Sequence, residues 1–260
     1  MTRGAAVATS VAIAVIVFAS CTDVSAPADH VASLSFDRFP YPSVVAGDTL
    51  RDSLGVVAPL HAIAFNTAGD SLPDAAIQYI ALDTGVTIGP GGTLFANRTS
   101  GTVRIMASTN SLQVKPITLN VARRPDLATF SGESRDTVDY VVPDLASANV
   151  STALGVRVLT NDTTGGITAT QGWIVSYQVF FRGNAVAPGD TSVVYLVDGG
   201  KRSTIDTTTT EGSASRSLRV RPIGITESAT DSVIVIATVR YRGAHVAGSP
   251  LRFVVVLRPK

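Results

Sequence analysis

Cysteine, histidine and tryptophan are scarce in this chain of 260 residues, which contains one cysteine, three histidines and one tryptophan. The single cysteine, Cys21, excludes an internal disulfide framework and any zinc site that needs several thiolates. The histidines, His30, His61 and His245, match no metal-binding spacing such as HxH or HExxH. His61 lies in an apolar segment and is expected to be structural. We therefore predict neither a metal site nor a cofactor.

Charge of one sign and long apolar runs are also missing. The formal net charge is +1, and no cluster of lysine and arginine offers the basic surface that nucleic-acid phosphates require. After Cys21, no apolar run approaches the roughly 20 residues of a membrane-spanning helix. Hydrophobic residues nevertheless make up 45% of the chain, which is enough to fill protein cores. These features predict a folded protein that does not bind nucleic acid.

Familiar catalytic motifs are absent as well. The sequence has no GxSxG motif, and its glycine-rich segment at residues 89–92 lacks the lysine and helix of a phosphate-binding loop. Asp70 with Asp74, or Asp162 beside Asn161, offer oxygen ligands that suit calcium. Asp and Asn at such positions more often cap turns through their own backbone bonds. We predict that the protein is not an enzyme.

The first 20 residues have the pattern of an export signal. Arg3 supplies a positive charge, and the apolar run that follows, at residues 5–18, is too short to span a membrane. The stretch Phe18-Ala19-Ser20-Cys21 resembles the lipobox of bacterial lipoproteins, although Phe18 stands where an aliphatic residue is commoner. An ordinary signal peptide with a cysteine at its cleavage point is the alternative.

The lipobox resemblance has specific implications. It implies that Cys21 is acylated, becomes the mature N-terminus and holds the protein on a membrane leaflet through its acyl chains. Thr22 follows instead of Asp, which favours sorting to the outer membrane or cell surface. Residues 21–29 then form a short tether.

The rest of the chain has the pattern of an all-β protein. Short apolar runs rich in β-branched residues alternate with Gly, Pro, Asn, Asp and Ser, and no helical period extends over ten residues. We predict strands at residues 31–36, 60–66, 76–82, 102–108, 113–121, 156–161, 173–181, 192–197, 217–221, 232–241 and 251–257. A Thr/Ser-rich piece at residues 203–215 is either an extended loop or a polar edge strand.

The best domain boundary is the segment Ala122-Arg123-Arg124-Pro125-Asp126, because its two arginines and proline follow a completed strand and a polar stretch begins soon after, at residues 131–136. We predict a signal peptide at residues 1–20, a tether at 21–29, and two immunoglobulin-like β-sandwich domains in tandem at 30–123 and 124–260.

Three motifs in the first of these domains appear in a characteristic order. They are Val45-Ala46-Gly47-Asp48-Thr49-Leu50, Gly91-Gly92-Thr93-Leu94-Phe95-Ala96 and Ser100-Gly101-Thr102-Val103. The order is similar to the bacterial immunoglobulin-like domains (group 2) of intimin- and invasin-type surface proteins, with Tyr79 where that family often has Trp. The resemblance covers roughly residues 31–121 and implies an immunoglobulin-like sandwich.

The second domain carries the only tryptophan. Trp173 is similar to the core Trp of immunoglobulin-like sandwiches. Strand alternation puts Trp173, Tyr177 and Phe181 on one face, which suits a buried sheet face better than a stacking platform for sugars. If Ile174 and Phe180 lie outward together on the other face, they form an exposed patch that marks a partner surface.

These features lead to a functional hypothesis. We expect a non-enzymatic, lipid-anchored protein of the cell envelope whose immunoglobulin-like modules act in adhesion, scaffolding or protein interaction. The alternative is a polysaccharide- or small-ligand-binding accessory module of an envelope enzyme or uptake system. The expected partners are the membrane, through acylated Cys21, and an unknown protein or polysaccharide. Fold analogy alone does not choose between these functions.

Overall fold

The structure, a computed structural model, describes residues 30–97, 101–110, 112–141, 147–161, 165–225 and 230–260. The predicted signal peptide, the tether, the lipidation residue Cys21 and the calcium candidate Asp162 lie outside the described residues. Within these described ranges, no helix is long and apolar enough to cross a membrane.

The first sandwich consists of the described strands between residues 33 and 122. In chain order they are β1 (Ser33–Phe36), β2 (Ser43–Val45), β3 (Ala62–Phe65), β4 (Gln78–Ala81), β5 (Val86–Ile88), β6 (Leu94–Ala96), β7 (Gly101–Thr109), β8 (Leu112–Gln113) and β9 (Ile117–Ala122). One layer has the order β2-β9-β7-β4, with β8 paired to β7, and β2 runs parallel to β9. The pairs β1-β3 and β5-β6 contribute the opposite layer.

The second sandwich consists of the described strands between residues 127 and 259. They are β10 (Leu127–Phe130), β11 (Arg135–Tyr140), β12 (Leu154–Asn161), β13 (Ile167–Ala169), β14 (Ile174–Phe181), β15 (Asn184–Ala185), β16 (Val194–Asp198), β17 (Lys201–Arg202), β18 (Ile205–Thr207), β19 (Ser213–Val220), β20 (Asp231–Thr238), β21 (Arg240–Tyr241), β22 (Ala244–His245) and β23 (Leu251–Pro259). Short 3₁₀ turns lie at Pro90–Gly92, Ser147–Asn149 and Pro222–Gly224.

The strand order of the second sandwich is that of an immunoglobulin domain. One sheet has the order β10-β12-β19-β16, which corresponds to strands A, B, E and D, and the other has the order β11-β23-β20-β14, which corresponds to A′, G, F and C. The first sandwich repeats the A′, G, F, C layer as β2-β9-β7-β4. The predicted fold class, all-β with two immunoglobulin-like sandwiches in tandem, is therefore confirmed.

Alternation along the strands explains why these segments fold into two layers. On β20, the side chains of Val233, Val235 and Ala237 are 0% exposed, whereas Ile234 and Ile236 between them are partly exposed. Because side chains alternate across a strand, every second residue enters the core between the sheets. Burying this apolar surface is the main favourable contribution to the fold.

Two segments differ from or refine the sequence-based expectation. No strand was predicted between residues 121 and 156, but Arg135–Tyr140 forms β11, which pairs in parallel with β23. Val138 and Tyr140 are buried, while Asp139 between them is exposed. The Thr/Ser-rich segment at residues 203–215 contains the short strand β18, which pairs with β14, so the polar-strand alternative holds at Ile205–Thr207. Each described sheet lies wholly within residues 33–122 or 127–259, and the division at residue 124 stays a prediction.

Candidate functional site at the junction of the two sandwiches

An aromatic contact lies at the centre of the junction between the sandwiches. The ring of Tyr41, from the first sandwich, lies 4.9 Å from the ring of Trp173, from the second, and both residues are buried. The Ile174 N–H donates a hydrogen bond to the Tyr41 hydroxyl at 2.9 Å. The Trp173 Nε1–H donates to the Arg240 carbonyl at 3.0 Å. Burial raises the pKa of Tyr41 well above its usual range, so the hydroxyl stays neutral.

A loop of the first sandwich brings its backbone against the second. The loop, residues 52–57, is closed at its base by a bridge between Arg51 and Val57. At its tip, Gly55 approaches Gly243 so closely that a Cβ on Gly55 would lie 2.1 Å from the Gly243 nitrogen. Both glycines have positive φ, at +86° and +79°. Only glycine fits this backbone contact without displacing one sandwich from the other.

A buried carboxylate joins the same two segments. Asp48 is 5% exposed and accepts hydrogen bonds from the Thr49 N–H at 2.8 Å and from Arg51 Nε at 3.1 Å. From the second sandwich it accepts hydrogen bonds from the Tyr241 hydroxyl and from Arg242 Nε, both at 2.9 Å. These donors make the junction polar as well as apolar.

The electrostatics of Asp48 follow from these donors. Burial alone would raise the pKa of this carboxyl, but hydrogen bonds from Arg242, Arg51, Thr49 and Tyr241 favour the ionised form and hold the pKa well below its usual range. Burial and the bond to Asp48 raise the pKa of Tyr241, so it remains a donor. The bonds from Tyr241 and Arg242 cross between the sandwiches, and such charge-assisted hydrogen bonds are stronger than those between neutral groups.

A third group of contacts closes the other side of the junction. The Ser43 hydroxyl donates to the Gly172 carbonyl at 2.8 Å, and this bond is buried. The Arg123 guanidinium donates to the Thr168 hydroxyl at 3.0 Å. The apolar cluster that contains the Tyr41 and Trp173 rings includes buried residues from both sandwiches. The junction therefore has the properties of a packed interface.

The aromatic residues singled out in the sequence have distinct roles. Trp173 and Tyr177 are buried, and Phe181 packs against the core, as expected for an inner sheet face. Trp173 also covers the end of the second sandwich against Tyr41, which the sequence did not indicate. In the first sandwich, Tyr79 accepts a hydrogen bond from the Ala62 N–H at 2.9 Å and so connects the two layers.

The candidate metal ligands do not converge. Among the residues that the structure describes, no three His, Cys, Asp or Glu side chains are placed to share a metal ion. His30 and His245 are exposed. His61 is also exposed, 3.5 Å from Asp37, and lies just before β3. His61 was predicted to lie within the strand, but the strand begins one residue later, at Ala62, and the His61 side chain is exposed.

The turn at Asp70 shows the capping arrangement. Asn66 Oδ1 accepts hydrogen bonds from the Ala68 and Asp70 N–H groups, both at 2.9 Å. Asp70 in turn accepts a bond from the Asn66 amide at 3.3 Å. Of the candidate calcium pair Asp70 and Asp74, Asp70 thus takes part in this turn.

The sequence motifs identified Gly47-Asp48 but not the partners of Asp48. Tyr241 and Arg242 lie 193 and 194 positions further along the chain, and no local pattern connects them. The only local signal in the sequence is Gly243, a residue typical of turns, directly after Tyr241 and Arg242. Ile174 and Phe180, whose outward position was conditional, both lie on the outer face of β14 and are partly exposed.

Comparisons with known proteins return structures but no family. No family model matches the chain, and no curated protein matches it. Among solved structures, the chain is similar to domains 4 and 5 of the S-layer protein SbsC, with 10% identity over 86% of this chain and 96% of that one, at a TM-score of 0.30. It is similar to the Yersinia pseudotuberculosis adhesin InvE, with 15% identity over 83% of this chain, at a TM-score of 0.31.

The D00–D0 domain of intimin is a further similar structure. The identity is 10% over 86% of this chain and 98% of that one, at a TM-score of 0.29. The chain spans only 32% of a longer SbsC structure, domains 4–9, and 56% of the InvE structure. At these TM-scores the assignment of the immunoglobulin-like fold depends on the strand order of the chain itself.

Proposed function

We propose that this protein is a non-enzymatic, lipid-anchored component of the cell envelope in which two immunoglobulin-like sandwiches form one rigid unit. The unit acts as a spacer and as a protein-interaction module in adhesion or envelope scaffolding. The observation that carries this proposal is the junction, where Asp48, Gly55 and Tyr41 of the first sandwich contact the second.

The junction argues for rigidity because it differs from the usual connection between domains. Relative motion is the default for domains joined by a polar linker with a small interface. Here an aromatic pair, a glycine backbone contact and a buried carboxylate all join the two sandwiches. Each of these contacts is short and directional, so a rotation that preserves one of them breaks another.

In this proposal, acylated Cys21 holds the unit close to a membrane. Residues 22–32 separate Cys21 from the first strand, and a fully extended segment of that length reaches at most about 40 Å. A rigid pair of sandwiches held at this distance from a membrane presents its outer faces to other envelope components. A single acylated residue suffices for attachment when it carries more than one chain.

Two measurements test the proposal. Residual dipolar couplings collected separately on each sandwich of the full chain are expected to give one common alignment tensor, and two different tensors would exclude a rigid unit. In envelope fractionation, the chain is expected in the membrane fraction and its Cys21→Ala variant in the soluble fraction. A Ser20→Ala variant, which keeps the cysteine, is the matched control. Identical soluble behaviour of all three would exclude the lipid anchor.

A further inference from the structure

The outer face of one sheet of the second sandwich carries a central row of apolar side chains. On β14, β20 and β23, the inward residues fill the core, and the residues between them face outward with partial exposure. Phe180 pairs with Ile234 in the register of these strands, and Ile234 pairs with Val254, so the outward side chains form a continuous row. We call this set the apolar face, and its members are Phe180, Ile234, Ile236, Val254 and Val256.

The opposite sheet shows that an apolar outer face is not required by the fold. The outward positions of β19 are Ser213, Ser215, Ser217 and Arg219, and Arg157 faces outward on the neighbouring β12. Antiparallel sheets with one solvated face normally alternate apolar residues inside with polar ones outside. The sheet with the apolar face departs from this rule along the row of Phe180, Ile234 and Val254, and such patches mark interaction surfaces.

The charged residues around the apolar face are mostly basic. Arg240 and Arg252 are exposed at one end of β20 and β23, and Arg135 is exposed beside Val254. Within the described residues, none of these three has an ion pair with a carboxylate. Asp139 lies on the same face but is paired with Arg258 at 2.9 Å. The face therefore has an excess of positive charge.

A groove extends the apolar face towards the first sandwich. It has a volume of about 380 Å³ and is lined by Ile174, Gln178 and Arg240 on the sheet and by Leu54 from the loop at residues 52–57. The Leu54 side chain is 69% exposed, although it is a large apolar residue. Apolar side chains, polar side chains and Arg240 thus line one groove at the junction.

The shape and charge select among possible occupants. A second copy of the chain would place one set of arginines against another, which costs free energy at any separation shorter than the screening length. A membrane surface takes up apolar side chains that project into it, whereas the apolar face consists of side chains partly covered by their own sheet. A protein segment with carboxylates beside apolar side chains fits both the arginines around the apolar face and the apolar side chains at its centre.

We propose that the apolar face and its groove dock a protein partner whose contact segment combines aliphatic side chains with Asp or Glu. The aliphatic side chains pack on Ile234 and Val254, and a carboxylate enters the groove to pair with Arg240. A second carboxylate pairs with Arg252 at the rim. This docking site rests on the proposed function and specifies its protein-interaction role.

The test uses three fluorescein-labelled synthetic peptides of ten residues, in which Val alternates with Glu, Val with Lys, or Ser with Glu. Fluorescence polarisation measures their binding to the full chain. The Val-Glu peptide is expected to bind at least about tenfold more tightly than either of the others, because it alone supplies both chemistries. Its affinity is expected to fall as salt is raised.

Variants of the chain test whether the Val-Glu peptide binds at the apolar face. Ile234→Thr with Val254→Thr removes apolar surface at positions where threonine suits a strand. Arg240→Glu with Arg252→Glu reverses the charge. Each pair is expected to weaken the Val-Glu peptide at least about tenfold, and Arg157→Glu on the opposite sheet by less than about twofold. Circular dichroism and thermal unfolding verify that each variant is folded.

Several outcomes would overturn the docking proposal. The first is that the Val-Glu peptide does not bind. The second is that the Val-Lys peptide binds equally tightly. The third is that the folded variant with Arg240→Glu and Arg252→Glu binds the Val-Glu peptide as tightly as the unchanged chain does. A dimer detected by sedimentation equilibrium and abolished by Ile234→Thr with Val254→Thr would assign the face to a second copy instead. Binding of the non-acylated chain to phosphatidylglycerol vesicles through this face would assign it to lipid. A common alignment tensor alongside any of these results would leave the rigid unit intact and remove only the docking site.

Discussion

The Tyr241 hydroxyl of the second sandwich donates a hydrogen bond of 2.9 Å to Asp48 of the first, across 193 positions of sequence. Arg242, the next residue, donates to the same carboxylate oxygen. One buried acceptor thus receives donors from a turn of the other sandwich. The orientation of the two sandwiches thus depends on a few specific side chains. Each of these side chains can be tested by a single substitution.

Replacing Asp48 with Ala is expected to lower the free energy of unfolding by at least about 2 kcal/mol, because it leaves buried donors of the junction without their acceptor. Urea unfolding followed by circular dichroism measures the change. Asp139→Ala is the matched control, since its pair with Arg258 is exposed and such pairs contribute at most about 1 kcal/mol. Equal losses in the two variants would mean that Asp48 is an ordinary surface carboxylate.

Acid is expected to destabilise the protein partly through Asp48. The folded state lowers the pKa of this carboxyl below its unfolded value, so its contribution is present above about pH 4 and is lost as pH falls further. Urea unfolding between pH 7 and pH 2.5 measures this dependence. The Asp48→Asn variant is expected to be less stable at pH 7 and to lose less stability on acidification. Parallel pH curves for the two proteins would contradict the assignment.

The glycine contact allows a comparison between two positions with the same backbone strain. Gly55 and Gly69 have φ values of +86° and +88°, but only Gly55 has backbone atoms where a Cβ would lie. Gly69→Ala is expected to cost about 1–2 kcal/mol for its left-handed conformation. Gly55→Ala is expected to cost at least about 2 kcal/mol more and to separate the alignment tensors of the sandwiches. Similar costs and an unchanged common tensor would show that the contact at Gly243 is loose.

Trp173 reports on the junction by fluorescence, because it is the only tryptophan of the chain. Tyr41→Ala is expected to shift its emission to longer wavelength as water reaches the indole, and to cost about 3 kcal/mol of stability. Tyr195→Ala, at a half-buried position beneath Arg202, is expected to leave the emission unchanged. Unchanged emission in Tyr41→Ala would mean that the two rings are not in stable contact in solution.

Local patterns predicted much of the second sandwich. The alternation of Val175, Tyr177 and Val179 is visible in the sequence, and all three are buried in β14. The strand β11 was missed because its residues are mostly polar and its stability comes from parallel pairing with β23, over a hundred positions later. Only the folded chain brings those two segments together.

The candidate site was less accessible to sequence reasoning. Asp48 is part of a motif that is visible in the sequence. Its burial, however, depends on hydrogen-bond donors from Arg51 and from the distant Arg242. The sequence does not distinguish Gly55 and Gly243 from other turn glycines, because their backbone contact joins two distant segments. Of the two residues whose outward position was considered from the sequence, Phe180 belongs to the apolar face and Ile174 lines the adjoining groove. Its extent required the register that aligns Phe180 with Ile234 and Val254.

The distance between the two sandwiches in solution tests the central claim most directly. Spin labels at Gln113→Cys and Lys201→Cys, both exposed positions in different sandwiches, are introduced with Cys21→Ala so that no third label is attached. Pulsed electron paramagnetic resonance is expected to give one narrow distance distribution, which Asp48→Ala with Tyr41→Ala broadens. A broad distribution in the chain with an intact junction would contradict the rigid unit.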